Sequence, residues 1–205
     1  DLVITITAVN DAPVAVDDAE TIAEDASATT FTVIDDDTDT ESDSLSLSSI
    51  TYTGTGTVSL SGNQIVYTPA SNFNGTETVT YTVSDGTATD TGTLTITVTA
   101  ANDAPVAVDD TETILEDAGL TNITVLDDDT DADGDSLTLS SVSLDNSSLG
   151  TVAINADNTT IDFTPAADAN GTATVTYTVS DGTTTDTGDL VITITAVNDA
   201  PVAVD

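Results

Sequence analysis

Carboxylates are the chemically active side chains of this chain. It has 37 aspartates and glutamates but no lysine, arginine, histidine or cysteine. Carboxylates without counter-charges repel one another when a chain folds, so we expect a cation from solution to offset them. Catalysis is a poor fit, because histidine bases, lysine Schiff bases and cysteine nucleophiles have no candidates. Glycoside cleavage by paired carboxylates would want an aromatic-lined cleft, and the chain has only 3 Phe and 4 Tyr. We therefore predict that the protein is not an enzyme.

The sharpest motif is DDDTDADGDSL at 127–137. Its aspartates alternate along a segment that includes Gly134, which permits a tight turn, and they are Asp129, Asp131, Asp133 and Asp135. Calcium takes six to eight oxygen ligands from loops of this kind. The loop is not an EF-hand, because the twelfth position of that motif would fall on Ser140 instead of a glutamate and the flanks are strand-like.

A related run, DDDTDTESDSL at 35–45, keeps three of these carboxylates, Asp37, Asp39 and Asp43. It has Glu41-Ser42 where the other loop has Asp133-Gly134. We expect this loop to bind calcium differently or less tightly. Magnesium is the competing ion, but it prefers a smaller shell with retained waters. Zinc is disfavoured without histidine or cysteine.

Further predicted metal ligands recur in pairs or triplets along the chain. They are Glu24-Asp25 and Glu116-Asp117, Asp85 and Asp181, and Asn10-Asp11, Asn102-Asp103 and Asn198-Asp199. Asp85 and Asp181 precede glycine, so an ordinary turn explains them as well. For Asp17-Asp18, Asp109-Asp110 and Asp90 we favour a solvated surface without metal.

The chain repeats itself. Asn10, Asn102 and Asn198 mark the same point in successive copies of a segment close to TAVNDAPVAVD. The spacing is that of a whole sandwich domain. We therefore predict two domains, at 10–101 and 102–197, preceded by the last strand of an earlier copy at 1–9 and followed by the start of a next copy at 198–205. On this hypothesis the chain is a fragment of a longer protein.

Strict alternation of apolar residues with threonine indicates β-strands. It is clearest in TVTYTVS at 78–84 and TLTITVTA at 93–100, and it extends to SLSLSSITY at 44–52, TVSL at 57–60 and QIVYT at 64–68. About seven short strands per copy and no helical periodicity predict an all-β fold of tandem antiparallel Greek-key sandwiches arranged end to end. The Asn-Asp-Ala-Pro linker is stiff in character, because proline restricts its own backbone and that of the preceding residue.

The net charge of -37 disfavours nucleic acid and anionic membranes as direct partners. No apolar run approaches the roughly 20 residues that span a bilayer, so we expect no membrane insertion. The partners that we expect are neighbouring repeats of the same chain, and the fragment itself is expected to be monomeric.

The order of these motifs resembles bacterial cadherin-like repeats, including the extender regions of giant RTX surface adhesins. The resemblance rests on NDAPVAVDD, EDA, DTDADGDSL and YTVSDG, and it covers essentially the whole chain. It implies Ca²⁺ held where two domains meet. The ligands it implies between the two copies are Glu24, Asn102 and Asp103 with Asp131, Asp133 and Asp181; before the first copy they are Asn10 and Asp11 with Asp39 and Asp85. Classical cadherins carry a further Asp-x-Glu motif in the strand region that precedes the fifth or sixth strand. We find no such motif at that place here, which leaves the number of ions per junction open.

We therefore expect an extracellular spacer of a bacterial cell-surface adhesin, stiffened by calcium, which holds a distal binding domain away from the cell. The alternative is a module that itself binds glycan, ice or a partner protein through its loops or threonine-rich faces. The near-duplicate copies, which lack a distinctive aromatic patch, favour the spacer.

Overall fold

A computed structural model describes residues 1–7 and 9–199 of the chain. The chain divides into two units, Asp1–Ala101 and Asn102–Asp205. We call the strand-bearing parts of these units repeat 1 and repeat 2. No helix long and apolar enough to cross a membrane occurs in the described residues.

Repeat 1 consists of two sheets. Its strands are β1 Asp18–Ala23, β2 Thr29–Thr32, β3 Ser46–Tyr52, β4 Thr57–Ser61, β5 Gln64–Thr68, β6 Gly75–Ser84 and β7 Thr89–Thr99. One sheet has the order β1-β7-β6-β3 and the other has the order β2-β5-β4. The chain therefore crosses between the sheets after β1, β2, β3 and β5, while β4-β5 and β6-β7 are neighbouring strands of one sheet.

Repeat 2 has the same arrangement. Its strands are β8 Asp110–Leu115, β9 Thr121–Thr124, β10 Thr138–Leu144, β11 Gly150–Ile154, β12 Thr160–Pro165, β13 Gly171–Ser180 and β14 Thr185–Thr195. Its sheets have the orders β10-β13-β14-β8 and β11-β12-β9. The predicted all-β class, with seven strands in the described part of each repeat, is confirmed.

One detail differs from the antiparallel prediction. β1 pairs with β7 in parallel, and β8 pairs with β14 in parallel, while the other strand pairs are antiparallel. The first and last strands of each repeat run in the same direction because the chain enters the sandwich at the end opposite the one from which it leaves. The alternation of apolar residues does not encode strand direction, so the sequence could not reveal this pair.

The core lies between the two sheets of each repeat and is made by the apolar side of the alternating strands. Leu94, Ile96 and Val98 of β7 are buried, and the threonines between them face outward. Tyr81 spans the core and donates a hydrogen bond to the carbonyl of Val16. Its ring needs a glycine opposite, because a Cβ at Gly92 would lie 2.4 Å from the ring.

Residues 1–7, which precede the first repeat, carry no strand. Leu2, Ile4 and Ile6 are exposed. The assignment of 1–9 to the last strand of an earlier copy stays a prediction, as do the other domain limits. In the predicted segment 198–205, only Asn198 and Asp199 lie within the described residues.

Candidate metal centre

The acidic loop of repeat 2 lies between β9 and β10. A two-way backbone bridge between Val106 and Thr130, with N···O distances of 2.8 and 3.1 Å, anchors it to the start of the repeat. The loop then curls around Asp131, whose Oδ1 accepts hydrogen bonds from the backbone N–H groups of Asp133 (2.9 Å) and Asp135 (3.1 Å). Gly134 has a φ of 77°, a conformation in which glycine avoids the steric cost of a Cβ.

This curl brings carboxylates together. One oxygen from each of Asp131, Asp133 and Asp135 lies within 4.8 Å of the others. Calcium–oxygen distances are about 2.3–2.6 Å, so a single ion at the centre could contact all three groups. The predicted convergence of these alternating aspartates therefore matches the geometry.

Unpartnered oxygens give a second test of fit. The Oδ2 atoms of Asp129 and Asp131 are buried and have no hydrogen-bond partner. A buried carboxylate oxygen without a partner is costly, and the chain has no basic side chain to pair with it. A hard divalent cation with oxygen ligands satisfies such atoms, so the residues fit calcium.

The loop of repeat 1 has the same backbone shape despite its different sequence. Asp39 Oδ1 accepts hydrogen bonds from the N–H groups of Glu41 and Asp43, both at 2.9 Å. Ser42 takes the place of Gly134 with a φ of 64°. Among the described residues, Asp39, Glu41 and Asp43 do not converge as their counterparts do. Weaker binding by this loop stays a prediction.

Glu41 is a site residue that the sequence-based list left out. Its Oε2 accepts the N–H of Asp11 at 3.2 Å, as Asp133 Oδ2 accepts the N–H of Asp103 at 2.8 Å. Each carboxylate therefore holds the linker residue at the start of its own repeat. Glu41 aligns with Asp133 when the two loops are compared, and this alignment could have identified Glu41 as a site residue.

The asparagines of the linker meet the Asp-Gly turns. Asn10 donates to Asp85 Oδ2 at 2.8 Å, and Asn102 donates to Asp181 Oδ2 at 2.9 Å. Hydrogen bonds from the backbone of Ala88, from Asn10 and from the backbone of Thr87 lower the pKa of Asp85. The turn interpretation of Asp85 therefore agrees with the geometry, and its role as a metal ligand stays a prediction.

Asp181 is held in the same way. Its Oδ1 accepts the N–H groups of Thr183 and Thr184, both at 2.6 Å. The Thr184 hydroxyl, followed by the Asn102 amide, lowers the pKa of Asp181. These hydrogen bonds favour the ionised form of Asp181, which is the form that binds metal.

Glu24 and Glu116 lie at the other end of each sandwich and are buried, with 4% and 3% exposed. Glu24 Oε1 accepts the N–H of Ala101 at 2.5 Å, and Glu116 Oε1 accepts the N–H of Val197 at 2.7 Å. The backbone of Val197 and the amide of Asn170 lower the pKa of Glu116. These glutamates therefore tie the end of the last strand back to the end of the first.

A second carboxylate group forms beside Glu116. One oxygen from each of Asp117, Asp168 and Asp199 lies within 4.8 Å of the others, and all three residues are exposed. Sequence inspection missed Asp168, which aligns with Asn72 of repeat 1. Asn72 donates its N–H to Asp25 at 3.2 Å instead. Asn198 turns its amide to the carbonyl of Asp199 at 3.1 Å, the conformation that Asn10 and Asn102 also adopt.

The aspartates assigned to solvent do more than solvate the surface, and this corrects the sequence-based interpretation. Asp17 and Asp109 accept the N–H groups of Thr93 and Asp189, and Asp90 accepts that of Ala15. Asp18 and Asp110 accept hydroxyl hydrogen bonds from Tyr81 and Tyr177, at 2.8 and 3.1 Å. These carboxylates fasten the first segment of each repeat, because that segment has few ladder hydrogen bonds of its own before β1 or β8.

Burial raises the pKa of Asp129, although the N–H of Val108 partly offsets the effect, and the charges of Asp128 and Asp186 raise it further. Burial raises the pKa of Asp37 in the same way. In both repeats the ionised form of this aspartate is thus at a disadvantage within the protein, which a bound cation would remove.

Each repeat matches a bacterial domain family. Residues 10–97 match the family described as a bacterial Ig domain, and residues 102–196 match the family described as a bacterial cadherin-like domain. No curated protein matches the chain. The two matches follow one another along the chain, in agreement with a tandem Ig-like and cadherin-like fold.

Solved structures agree on the fold. Cadherin repeats EC1-2 of human protocadherin-24 are 16% identical, with a TM-score of 0.62 over 91% of this chain and 100% of that one. Drosophila N-cadherin EC1-4 is 13% identical, with a TM-score of 0.53 over 92% of this chain and 50% of that one. An endo-fucoidan hydrolase of glycoside hydrolase family 107 is 22% identical, and 91% of this chain spans only 29% of its length. Its TM-score of 0.38 carries no functional argument.

Proposed function

We propose that this chain is a calcium-binding, non-catalytic spacer from the extracellular part of a bacterial surface adhesin. The observation that carries the proposal is the set of buried, unpartnered carboxylate oxygens at matching places in both repeats, on Asp37, Asp39, Asp129 and Asp131. The chain has no basic side chain that could neutralise them.

The match to bacterial Ig-like and cadherin-like domains supports a structural module at the cell surface. When bound, calcium would supply positive charge and an oxygen-coordinating centre. The chain's own part is to hold Asp131, Asp133 and Asp135 at a suitable spacing. It also fixes the linker residue Asp103 through Asp133.

Hydrogen bonds at the two ends of each repeat support the spacer role. Glu24 and Glu116 hold the departing strand. Glu41 and Asp133 hold the arriving linker. Neutralising the acidic loops with calcium would remove repulsion between carboxylates near these ends, and so we infer that calcium stiffens the chain. Attribution to an RTX-type adhesin with a distal ligand-binding domain rests on the sequence resemblance alone.

Thermal unfolding in chelator, in calcium and in magnesium tests calcium binding. Extracellular calcium modules have Kd values of about 10⁻⁴–10⁻³ M. At 10 mM Ca²⁺ each occupied site should then add about 1.5–3 kcal/mol to the free energy of unfolding. Asp131→Asn should reduce this gain, whereas Glu20→Gln, an equal loss of charge at an exposed site, should leave it intact.

The stiffening is tested separately by small-angle X-ray scattering of the wild-type chain during a calcium titration. We expect the scattering to approach that of a less flexible particle as calcium rises. An identical profile in chelator and in calcium would contradict the spacer proposal even if calcium binds.

A further inference from the structure

Residues 1–7 have the same sequence as part of the last strand of repeat 2. The segment reads DLVITIT, and DLVITIT is also the sequence of 189–195 within β14. In repeat 2 this sequence is an inner strand of its sheet, between β13 and β8. At 1–7 it carries no strand. One sequence therefore occurs in two different states within the same chain.

The apolar residues of this sequence are buried in one copy and exposed in the other. Leu190 and Ile192 are both 0% exposed, whereas their counterparts Leu2 and Ile4 are 86% and 75% exposed. Large apolar side chains at alternate positions form the side of a strand that packs against a core. No core covers them at 1–7 within the described residues, so this exposed side is free for a partner.

Two neighbouring strands define the place of β14 in repeat 2. β14 pairs with β13 in antiparallel fashion over Thr185–Thr195. It pairs with β8 in parallel over Leu190–Thr195. The register of a strand is set by which of its residues must face the core. Because 1–7 repeats the residues of 189–195, it can adopt the same register with the same side chains facing inward.

The identity extends to hydrogen bonds at the end of the strand. In repeat 2 the carbonyl of Thr195 accepts the N–H of Glu116 at 3.0 Å. Glu116 Oε1 accepts the N–H of Val197 at 2.7 Å. Thr7 and Val9 have the places of Thr195 and Val197 in the other copy of the sequence. The exposed segment can therefore reproduce these bonds as well as the strand pairing.

Repeat 1 fits the same segment less well. The aligned part of its last strand reads TLTITVT at 93–99, with Val98 where the exposed segment has Ile6. Val98 is 2% exposed, and an extra methylene in a packed core forces side chains out of their preferred rotamers. Repeat 2 has Ile194 at this place. The fit to the core therefore favours repeat 2 as the partner.

We propose that residues 1–7 are a donor strand, which takes the place of β14 in repeat 2 of a second copy of this chain when that place is open. The interaction is strand addition, in which the backbone supplies hydrogen bonds and alternate side chains fill a core. An intact copy keeps its own β14, because an attached strand has the higher effective concentration. The inference goes beyond the proposed spacer function and requires no calcium.

The experiment opens the place of β14 within the whole chain. Leu190→Asp/Ile192→Asp puts two charges at core positions, where unpaired charge is strongly unfavourable, and leaves 1–7 unchanged. We expect the mass of this variant to rise from one chain to two or more, because the donor strand of one copy fills repeat 2 of the next. The wild type should stay at one chain. Light scattering after size-exclusion chromatography measures both.

A matched pair of further variants separates strand addition from general aggregation. Leu2→Asp/Ile4→Asp, added to the first variant, charges the core side of the donor strand and should return it to the mass of one chain. Val3→Asp/Thr5→Asp adds the same charge on the other side, which is not buried at the corresponding places in β14. This control should leave the oligomers intact.

A disulfide reports the register of the added strand. The chain has no cysteine, and Thr193 of β14 pairs with Thr172 of β13. Thr5 has the place of Thr193 in the donor strand. In the Leu190→Asp/Ile192→Asp background, Thr5→Cys with Thr172→Cys should form disulfides between chains, since a disulfide needs Cβ atoms about 3.5–4.5 Å apart. Thr5→Cys with Thr178→Cys should not.

Interchain disulfides at Thr172 that disappear with Leu2→Asp/Ile4→Asp support the inference. A Leu190→Asp/Ile192→Asp variant that stays at the mass of one chain overturns it. Equal cross-linking of both cysteine pairs overturns it as well, and so do cross-links that form only within one chain. Each of these results is obtained in chelator, so failure of the donor strand is distinguishable from failure of the proposed calcium binding.

Discussion

At one aligned core position, repeat 1 has a hydrogen-bonded polar cluster and repeat 2 has apolar side chains. In repeat 1, Glu77 is only 6% exposed and points into the core. Its Oε2 accepts the hydroxyls of Tyr52 and Tyr67, and its Oε1 accepts the backbone N–H and the hydroxyl of Thr55. In repeat 2 the aligned residues are Leu144, Phe163 and Ala173, which pack as hydrocarbon.

The three residues of this polar cluster, Tyr52, Tyr67 and Glu77, depend on one another for their hydrogen bonds. A buried carboxylate is tolerated when its oxygens are saturated, and a tyrosine hydroxyl is tolerated when it has an acceptor. Replacing only some of these residues leaves a buried polar atom without a hydrogen-bond partner. That state is less stable than either the full polar cluster or the full apolar one. The comparison teaches that this fold accepts a fully satisfied polar cluster or a fully apolar one at the same position.

Glu77→Ala should give the largest effect. The substitution strands the hydroxyls of Tyr52 and Tyr67 and opens a cavity, so we expect repeat 1 to lose about 3–5 kcal/mol of unfolding free energy. Urea unfolding at pH 7, with hydrogen exchange to resolve the two repeats, measures the loss.

A triple variant tests whether the three residues act as a unit. Tyr52→Leu/Tyr67→Phe/Glu77→Ala installs the residues of repeat 2, and it should recover part of the loss because it removes the two tyrosine hydroxyls that Glu77→Ala leaves without an acceptor. Recovery should be incomplete, because the N–H and hydroxyl of Thr55 lose Glu77 as their acceptor and the N–H of Gly56 loses the Tyr52 hydroxyl. A triple variant less stable than Glu77→Ala alone would show that the set does not act as a unit.

Acid should also distinguish the repeats. Burial by itself would raise the pKa of Glu77, but hydrogen bonds from Tyr52, Tyr67 and Thr55 outweigh it and lower the pKa from 4.5 to about 2. The stabilisation is fully present above pH 4.5 and is lost as pH falls through about 2. Its size is about 3 kcal/mol.

The test compares the acid unfolding of the wild type with that of the triple variant, both without calcium. Each chain keeps its other carboxylates, so the difference between their pH profiles isolates Glu77. We expect repeat 1 to lose its advantage over the variant between about pH 4.5 and 2. Parallel profiles over that interval would contradict the lowered pKa.

Substitutions at the left-handed position of each acidic loop should change the free energy of unfolding least. Ser42 has a φ of 64°, where Gly134 of the other loop has 77°. A left-handed conformation costs a non-glycine residue about 1–2 kcal/mol, and glycine gives back about 0.5–1 kcal/mol through the entropy of its unfolded state. Ser42→Gly should therefore stabilise repeat 1 by about 0.5–1 kcal/mol, and Gly134→Ser should destabilise repeat 2 by a similar amount, both read by thermal unfolding in chelator.

Much of the fold could be predicted from sequence because the signal is local. Alternation of Val79, Tyr81 and Val83 with threonines indicates a strand wherever the strand pairs, and β5 has the bounds that were predicted, Gln64–Thr68. The convergence of Asp131, Asp133 and Asp135 was also predictable, because their spacing and Gly134 act within one short loop. In contrast, Asp168 reaches Asp117 and Asp199 only through the fold, so no local pattern indicated it.

The sequence by itself determined the repeat and the strand pattern, which follow from residue periodicity, and the excess of negative charge from which we expect an external cation. Tertiary structure alone decided which carboxylate oxygens are left without a partner. Burial and the direction of a hydrogen bond depend on residues far apart in the chain, as Val108 N–H meeting Asp129 shows. The parallel pairing of β1 with β7 and the hydrogen bonds of Glu77 could not be predicted from the sequence for the same reason, because each depends on contacts between distant segments.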